Sequence, residues 1–280
     1  MRSGKAQKMI STFFVRLVLI LFSVIVLLPI LWTVVTSFKT SAEFLKNPWS
    51  LPSGLHVQNY VNAFTKANMG SYFLNSFYVT ALGILFLIIL AVPTAYVTSR
   101  FKFRLAGPLA LLFMAGLFVS QNYIVVPIFM ILAKLNLLEN LTVLALIYAV
   151  TALPFSIYLL SGFLRTIPKD YESAAQIDGC GYSATLFRVV MPMAKPAMVT
   201  VVMFNFMAFW NEYILALTVL NQEKTTLSVG LLNLMEVQKF ATDWGAMFAG
   251  LTIAMTPTIL IYILVQGKLT QGISMGGLKG

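Results

Sequence analysis

In a chain this apolar, the few polar residues inside long hydrophobic runs carry whatever chemistry there is. Glu212 is the one acid inside such a run, in the stretch Phe-Asn-Phe-Met-Ala-Phe-Trp-Asn-Glu-Tyr-Ile-Leu of residues 204–215. A charge at mid-bilayer is costly, and its presence marks a function or a buried partner. With Asn205, Trp210, Asn211 and Tyr213 it forms a polar-aromatic group. Aromatic faces and amide or carboxylate hydrogen bonds suit sugar rings and hydroxyls, so one reading is a patch lining a solute path. The other is hydrogen bonding between helices, or a place near the outer interface, where Trp and Tyr gather. Gln121, Asn122 and Tyr123 interrupt another apolar run and face the same choice. Nothing points to catalysis: the sequence has no GxxxxGK[ST], no HExxH, no cysteine pair for zinc and no GxSxG. Its one cysteine, Cys180, excludes an internal disulfide, and its one histidine, His56, reads as a surface residue. We expect no catalytic residue, cofactor site or metal site in this chain.

The second informative stretch is polar and lies between two apolar ones, Arg165 to Pro196. Pro168 suits the first turn of a helix, where a missing N–H costs nothing. Asp170 and Glu172 favour that helix's positive end. Gly179 and Gly181 supply the left-handed residue that stops it. A second helix is expected from about Ser183 to Val190, until Pro192 and Pro196 break it. On the first helix Tyr171, Ala174, Ala175 and Asp178 share a face by helical spacing, with two alanines that another protein could approach closely.

The elements that must position these residues are membrane spans. The composition is 59% hydrophobic and 10% charged, far from that of a soluble domain. A span needs about 20 residues, and apolar runs of that length recur. We expect six spans, at about 13–37, 72–98, 107–132, 141–164, 196–220 and 244–266, in a single transmembrane domain covering 1–280. The polar segment 165–195 and a Gly-rich tail at 267–280 complete it. The first run follows a basic, acid-free start without a clear cleavage signal and reads as a retained span, with Pro29 able to kink it. Asn140 can start the fourth helix. Gly245/Ala249 and Ala246/Gly250 permit close packing of the sixth.

Sidedness follows from lysine and arginine. With the N-terminus inside, 13 of the 19 basic residues fall in the segments 1–16, 100–104, 165–195 and 268–280. The bias predicts both termini in the cytoplasm, and basic residues near anionic lipid explain the net charge of +10 without nucleic acid. On the outer side, 39–71 reads as a loop with one short helix near Val57–Lys66. Within 221–243 the apolar middle, Leu227–Val237, either meets a partner protein or packs back on the fifth and sixth spans.

The 165–196 segment resembles the EAA loop of ABC-importer permeases, in the carbohydrate-importer version. Ala174-Ala175, Asp178-Gly179, Val189 and Met191-Pro192 fall in its register, but the family's Glu position is Ser173, and Glu172 sits one residue early. The Asn59-Tyr60 region and the Gly-rich tail are similar to the same family. The resemblance implies an all-α, type I importer-permease fold with six transmembrane helices and a cytoplasmic coupling loop. It implies coupling to an ATP-binding subunit through the 169–181 helix, by Tyr171, Glu172, Ser173, Ala174, Ala175, Asp178, Gly179 and Pro192. The implied partners are a homologous second permease, two copies of the ATP-binding subunit, which would bind ATP and Mg, an extracellular solute-binding protein and the lipid bilayer of a bacterial inner membrane. The implied cargo is a mono- to oligosaccharide. A stand-alone secondary transporter or channel is the rival, and would need ionisable groups at mid-membrane, of which only Glu212 is available.

Overall fold

The computed structural model describes residues 2–65, 68–221, 223–237 and 243–277, with side chains described over 12–65, 68–221, 223–232 and 243–267. Among these residues the regular structure is helical. Four helices are long and apolar enough to cross a membrane: Thr12–Thr36 within α1 (Arg2–Thr36), α4 (Met69–Arg100), α7 (Leu141–Leu164) and Trp244–Gly267 within α14 (Trp244–Gly277). Two bent helix pairs pass the same test of length and composition, which brings the number to six when each pair counts as one span.

A bend in the third span and a break in the fifth depart from the continuous helices that hydropathy suggests. α5 (Ala106–Gly116) and α6 (Gln121–Lys134) meet at 103°. Gly116 is a weak helix former, and Ser120, Gln121 and Asn122 follow it with polar side chains that favour helix starts and turns. Gly116 also lies against α7: a Cβ there would stand 2.8 Å from Pro154 Cγ. The other bent pair is Tyr182–Met193 with α11 (Lys195–Trp210), at 77°, so its bend lies at the start of the fifth span. That span is also interrupted at Asn211, after which the chain resumes as α12 (Ile214–Val219).

The chain divides into two compact units. One comprises Met1–Met69 and Leu231–Met255. Its centre is aromatic: the Trp32 ring lies 5.3 Å from both Trp49 and Phe248, and Phe44 lies 4.9 Å from Trp244. The expected outer loop contains two helices rather than one. α2 (Ser41–Lys46) carries a full capping box, the Thr40 hydroxyl accepting from the Glu43 N–H while the Glu43 carboxylate accepts from the Thr40 N–H. α3 (Gln58–Thr65) presents Asn59, whose amide donates to the carbonyls of Ser37 and Lys39 at 2.8 Å each. Gly245 lies directly against the Asn59 carboxamide, so this glycine serves close packing. Lys39 is buried and donates to the Pro48 carbonyl at 2.6 Å; burial lowers its pKa and nearby Glu43 partly opposes that. His56 is half-exposed, with Nε2 3.6 Å from the Glu43 carboxylate, so it has an acid neighbour that linear spacing hid.

The other unit comprises Gly70–Gly230 and Thr256–Gly280. Its core is built where α4, α7 and α11 bring small and branched residues together, among them Leu87, Ala91, Leu144, Ala145, Ala149 and Val201. Gly83 lets α4 approach closely: a Cβ there would lie 3.2 Å from the Ala145 carbonyl. The segment Leu227–Val237 is a helix, α13. Its first turn is held by α4, the Leu227 N–H donating to Ser76 Oγ at 2.8 Å, and Ser228 donates to the Trp210 carbonyl at 3.0 Å. This start packs on the second and fifth crossings.

Candidate functional site

The segment after α7 forms α8 (Asp170–Ile177), shorter than the 169–181 helix expected. Pro168 precedes the helix instead of opening its first turn, and Asp170 and Glu172 occupy the first turn. The stop is a Schellman motif: the Cys180 N–H donates to the Ala175 carbonyl at 2.9 Å and the Gly179 N–H to the Gln176 carbonyl at 3.0 Å. Gly179 takes φ +81°, the left-handed conformation the motif needs. Gly181 does not share that role; at φ −72° it is the N-cap of α9 (Tyr182–Thr185). Helical turns then continue through a π turn, Leu186–Val190, into α10 (Met191–Met193), and the break falls at Ala194. Pro192 therefore does not end this helix where the sequence suggested. The wider π turn ahead of it accommodates the missing N–H and the ring, and Pro192 itself is exposed.

The face expected to hold Tyr171, Ala174, Ala175 and Asp178 together is split. Tyr171, Ser173, Ala174 and Asp178 are exposed, as is Ile177, whereas Ala175 is buried and Glu172 turns inward with it. Residues three apart share one side of a helix, so Glu172 and Ala175 form the base and the others the outward surface. The Glu172 carboxylate meets Arg100, the last residue of α4: Oε1 lies 2.7 Å from Nε. The Tyr96 hydroxyl donates to Oε2 at 3.1 Å, and Arg100 Nη2 donates to the Ile167 carbonyl at 2.8 Å. Glu172 is thus the partner of Arg100 and Tyr96 in this chain.

The interior polar residues converge on α7. The Tyr148 hydroxyl donates to Glu212 Oε2 at 2.5 Å. The same carboxylate accepts the Leu215 N–H at 2.7 Å and the Ala216 N–H at 3.1 Å, so Glu212 satisfies the first turn of α12 across the break after α11. Asn205 is buried and donates to Ser156 Oγ at 3.0 Å and to the Val201 carbonyl at 2.8 Å. Gln121 donates to Thr151 Oγ1 at 3.3 Å. Trp210 is buried and stacks on Phe206, centroids 5.6 Å apart. Asn211, Tyr213, Asn122 and Tyr123 keep exposed surface, Tyr123 at 81%. So the expected cluster separates into a bonded set, Asn205, Trp210 and Glu212, and an exposed set around it.

Sequence reading missed Tyr148, Thr151, Ser156, Tyr96 and Arg100. A signal existed for three of them: Tyr148 and Ser156 are two helical turns apart on α7, with Thr151 beside that line, a polar stripe in an apolar helix. Arg100 carried none, because its partner is supplied by a distant segment. Among the described residues no group of three or more His, Cys, Asp or Glu could hold a metal ion.

A family model described as binding-protein-dependent transport system inner membrane component matches residues 91–275, more than half of the chain. The chain belongs to this family. It is a permease subunit of an ABC transporter and not the subunit that hydrolyses ATP. The diacetylchitobiose uptake system permease protein NgcG of Streptomyces coelicolor is 38% identical over 259 residues, covering 92% of this permease and 86% of that protein. The probable ABC transporter permease protein YurM of Bacillus subtilis is 35% identical over 263 residues, covering 94% and 87%. The sulfoquinovosyl glycerol transport system permease protein SmoH of Agrobacterium fabrum is 34% identical, covering 91% and 89%. The fold matches a chain from the crystal structure of a bacterial ABC transporter involved in the import of the acidic polysaccharide alginate, with a TM-score of 0.78 at 20% identity over 95% of this permease and 98% of that chain.

Proposed function

We propose that this permease forms half of the translocation path of an ATP-driven carbohydrate importer. A homologous permease supplies the other half. Two copies of an ATP-binding subunit bind ATP and Mg, and an extracellular solute-binding protein delivers the sugar. Relatives named for diacetylchitobiose and for multiple sugars support the carbohydrate class. The observation that carries the coupling role is the outward surface of α8, Tyr171, Ser173, Ala174, Ile177 and Asp178, standing on an inward base of Glu172 and Ala175. A helix with a fixed end that presents small and polar residues together with the exposed apolar side chains of Tyr171 and Ile177 suits docking into a partner's cleft. ATP-driven closure of the partner subunits would move α8 and switch the crossings between inward- and outward-open arrangements. The excess of lysine and arginine in 1–16, 100–104, 165–195 and 268–280 supports placing both termini and α8 in the cytoplasm. Gln121, Asn122, Tyr123, Asn211 and Tyr213, which keep exposed surface, are the residues of this chain offered to solute; Asn205, Trp210 and Glu212 are held by contacts within the fold.

The test is co-purification from the native membrane with a tag on this chain, followed by identification of the bound subunits. Recovery of a second permease and an ATP-binding protein, with the latter lost when 169–181 is disrupted, is the expected result. Recovery of this chain alone, still moving solute in liposomes without ATP, would sink the reading in favour of a secondary transporter.

A further inference from the structure

We propose that the Arg100–Glu172 pair makes α8 and α4 one rigid piece, and that α4 carries displacement of α8 to the segment 225–230 at its opposite end. The proposal rests on the reading of α8 as the coupling helix. It assigns Arg100 and Glu172 as positioning residues, and removes Glu172 from the surface offered to an ATP-binding subunit.

Three observations carry it. The first is the pair itself. The side chains of Arg100 and Glu172 are 4% and 12% exposed, with Nε and Oε1 2.7 Å apart. A planar guanidinium presents donors in a fixed fork. Here Nε faces Glu172 on α8 and Nη2 holds the Ile167 carbonyl in the linker ahead of it, so a single side chain ties both the linker and the first turn of α8 to α4. Removing one partner of a buried pair leaves an uncompensated charge, which makes separation costly.

The second observation is an independent tie to the next helix. Phe101 follows Arg100 and sits edge-on between Tyr96 and Tyr182, with ring centroids 5.4 Å away on each side. Tyr182 opens α9. Both helices of the coupling segment are therefore fastened to the same end of α4, one by charge and one by aromatic packing.

The third observation lies at the other end of α4. Gly230 of α13 lies against the Tyr72 ring so closely that a Cβ would overlap it. Asn75 donates to the Thr225 carbonyl at 2.9 Å, and Ser76 Oγ accepts the Leu227 N–H at 2.8 Å. From Tyr72 to Arg100 the chain is one helix with Pro93 inside it, roughly 42 Å along its path at about 1.5 Å per residue. One element is thus fastened to the coupling segment at one end and to 225–230 at the other, the physical requirement for transmitting a displacement.

The experiment uses the whole complex in liposomes. Cys180→Ser removes the native thiol, and Glu223→Cys places an environment-sensitive fluorophore on an exposed residue beside the 225–230 segment. The signal is the emission change on adding Mg with a non-hydrolysable ATP analogue. In Glu172→Gln the change should fall at least about fivefold, a typical coupling loss, while the ATP-binding subunit still co-purifies. The charge swap Arg100→Glu/Glu172→Arg should restore part of it, since it re-forms the ion pair but not the bonds to the Ile167 carbonyl and from the Tyr96 hydroxyl. Arg100→Lys keeps the charge and drops the fork; it should show an intermediate signal and serves where Glu172→Gln does not reach the membrane. Full signal in Glu172→Gln, or in Arg100→Lys, would overturn the proposal. So would loss of the ATP-binding subunit from Glu172→Gln but not from Arg100→Met, since Glu172 would then be the docking acid. An unaltered complex that captures no ATP-binding subunit would instead sink the coupling reading on which the proposal stands.

Discussion

The hydroxyl of Tyr148 donates to the carboxylate of Glu212 at 2.5 Å, across 64 residues of chain. The same carboxylate accepts the N–H groups of Leu215 and Ala216. One acid therefore fixes the break between α11 and α12 and fastens it to α7. Both carboxylate oxygens are engaged by groups of the chain itself, which gives this acid a structural role at the helix break.

Glu212→Ala should accordingly lower the stability of the detergent-solubilised complex. Loss of a helix-start acceptor costs about 0.5–2 kcal/mol, and an unpaired Tyr148 hydroxyl adds about 1–3 kcal/mol. Glu212→Gln should be milder, because the amide oxygen still accepts. Thermal unfolding of Glu212→Ala, Tyr148→Phe and the double variant gives a cycle in which the interaction exceeds about 0.5 kcal/mol. Unchanged melting with lost transport would place Glu212 in the solute path instead.

Gly179 ends α8 at φ +81° with open space around its Cα. The strain of a substitution there is thus purely conformational. Gly179→Ala should cost about 1 kcal/mol and leave transport measurable. Gly179→Pro cannot adopt a positive φ, and its lost N–H removes the bond to the Gln176 carbonyl. It should uncouple ATP hydrolysis from uptake while the chain still inserts. Normal uptake per ATP in Gly179→Pro would refute the assignment.

The parts of this molecule that were legible in the sequence are those set by near neighbours. Gly179 and α8 follow from local helix-stop chemistry, and Leu227–Val237 matches the apolar stretch residue for residue. The Thr40/Glu43 box was present as a Thr-x-x-Glu spacing, yet α2 is only six residues long and gave no periodic run. The inward turn of Glu172 was not legible, because it depends on Arg100 at the end of another helix. Nor was the break at Asn211–Tyr213: the polar pair Asn211-Glu212 reads as a polar patch within one continuous span, and only Glu212's bonds to Leu215 and Ala216 define a new helix start. Carboxylate and amide partners on α7 were likewise chosen by packing across the fold.

Gly230 offers a test of the contact between α4 and α13. Its Cβ would overlap the Tyr72 ring, and overpacking of this kind costs about 1–3 kcal/mol. Gly230→Ala should lower the melting temperature of the complex, and Gly230→Val should lower it more. Adding Tyr72→Ala should recover part of the loss in either background, because it opens the space the new methyl needs. Additive effects of the two substitutions would show that the ring and the glycine are not in contact.

Glu43 has its pKa lowered from 4.5 to about 2, first by a hydrogen bond from the Ser53 side chain and then by the Thr40 N–H; burial opposes both. The folded value is depressed, so the carboxylate's contribution is fully present above the unfolded value and is lost as pH falls through the folded one. The capping box and the link to Ser53 should therefore persist at pH 5 and weaken between about 4.5 and about 2. Glutamate 13Cδ NMR in nanodiscs, with the resonance assigned by its absence in Glu43→Gln, should show a midpoint near the lower end of that window. Protease nicking of the 47–53 segment should rise over the same range, and in Glu43→Gln it should be higher at neutral pH and flat on acidification. A midpoint close to 4.5 would mean that the bonds from Thr40 and Ser53 do not hold the carboxylate in the membrane-bound protein.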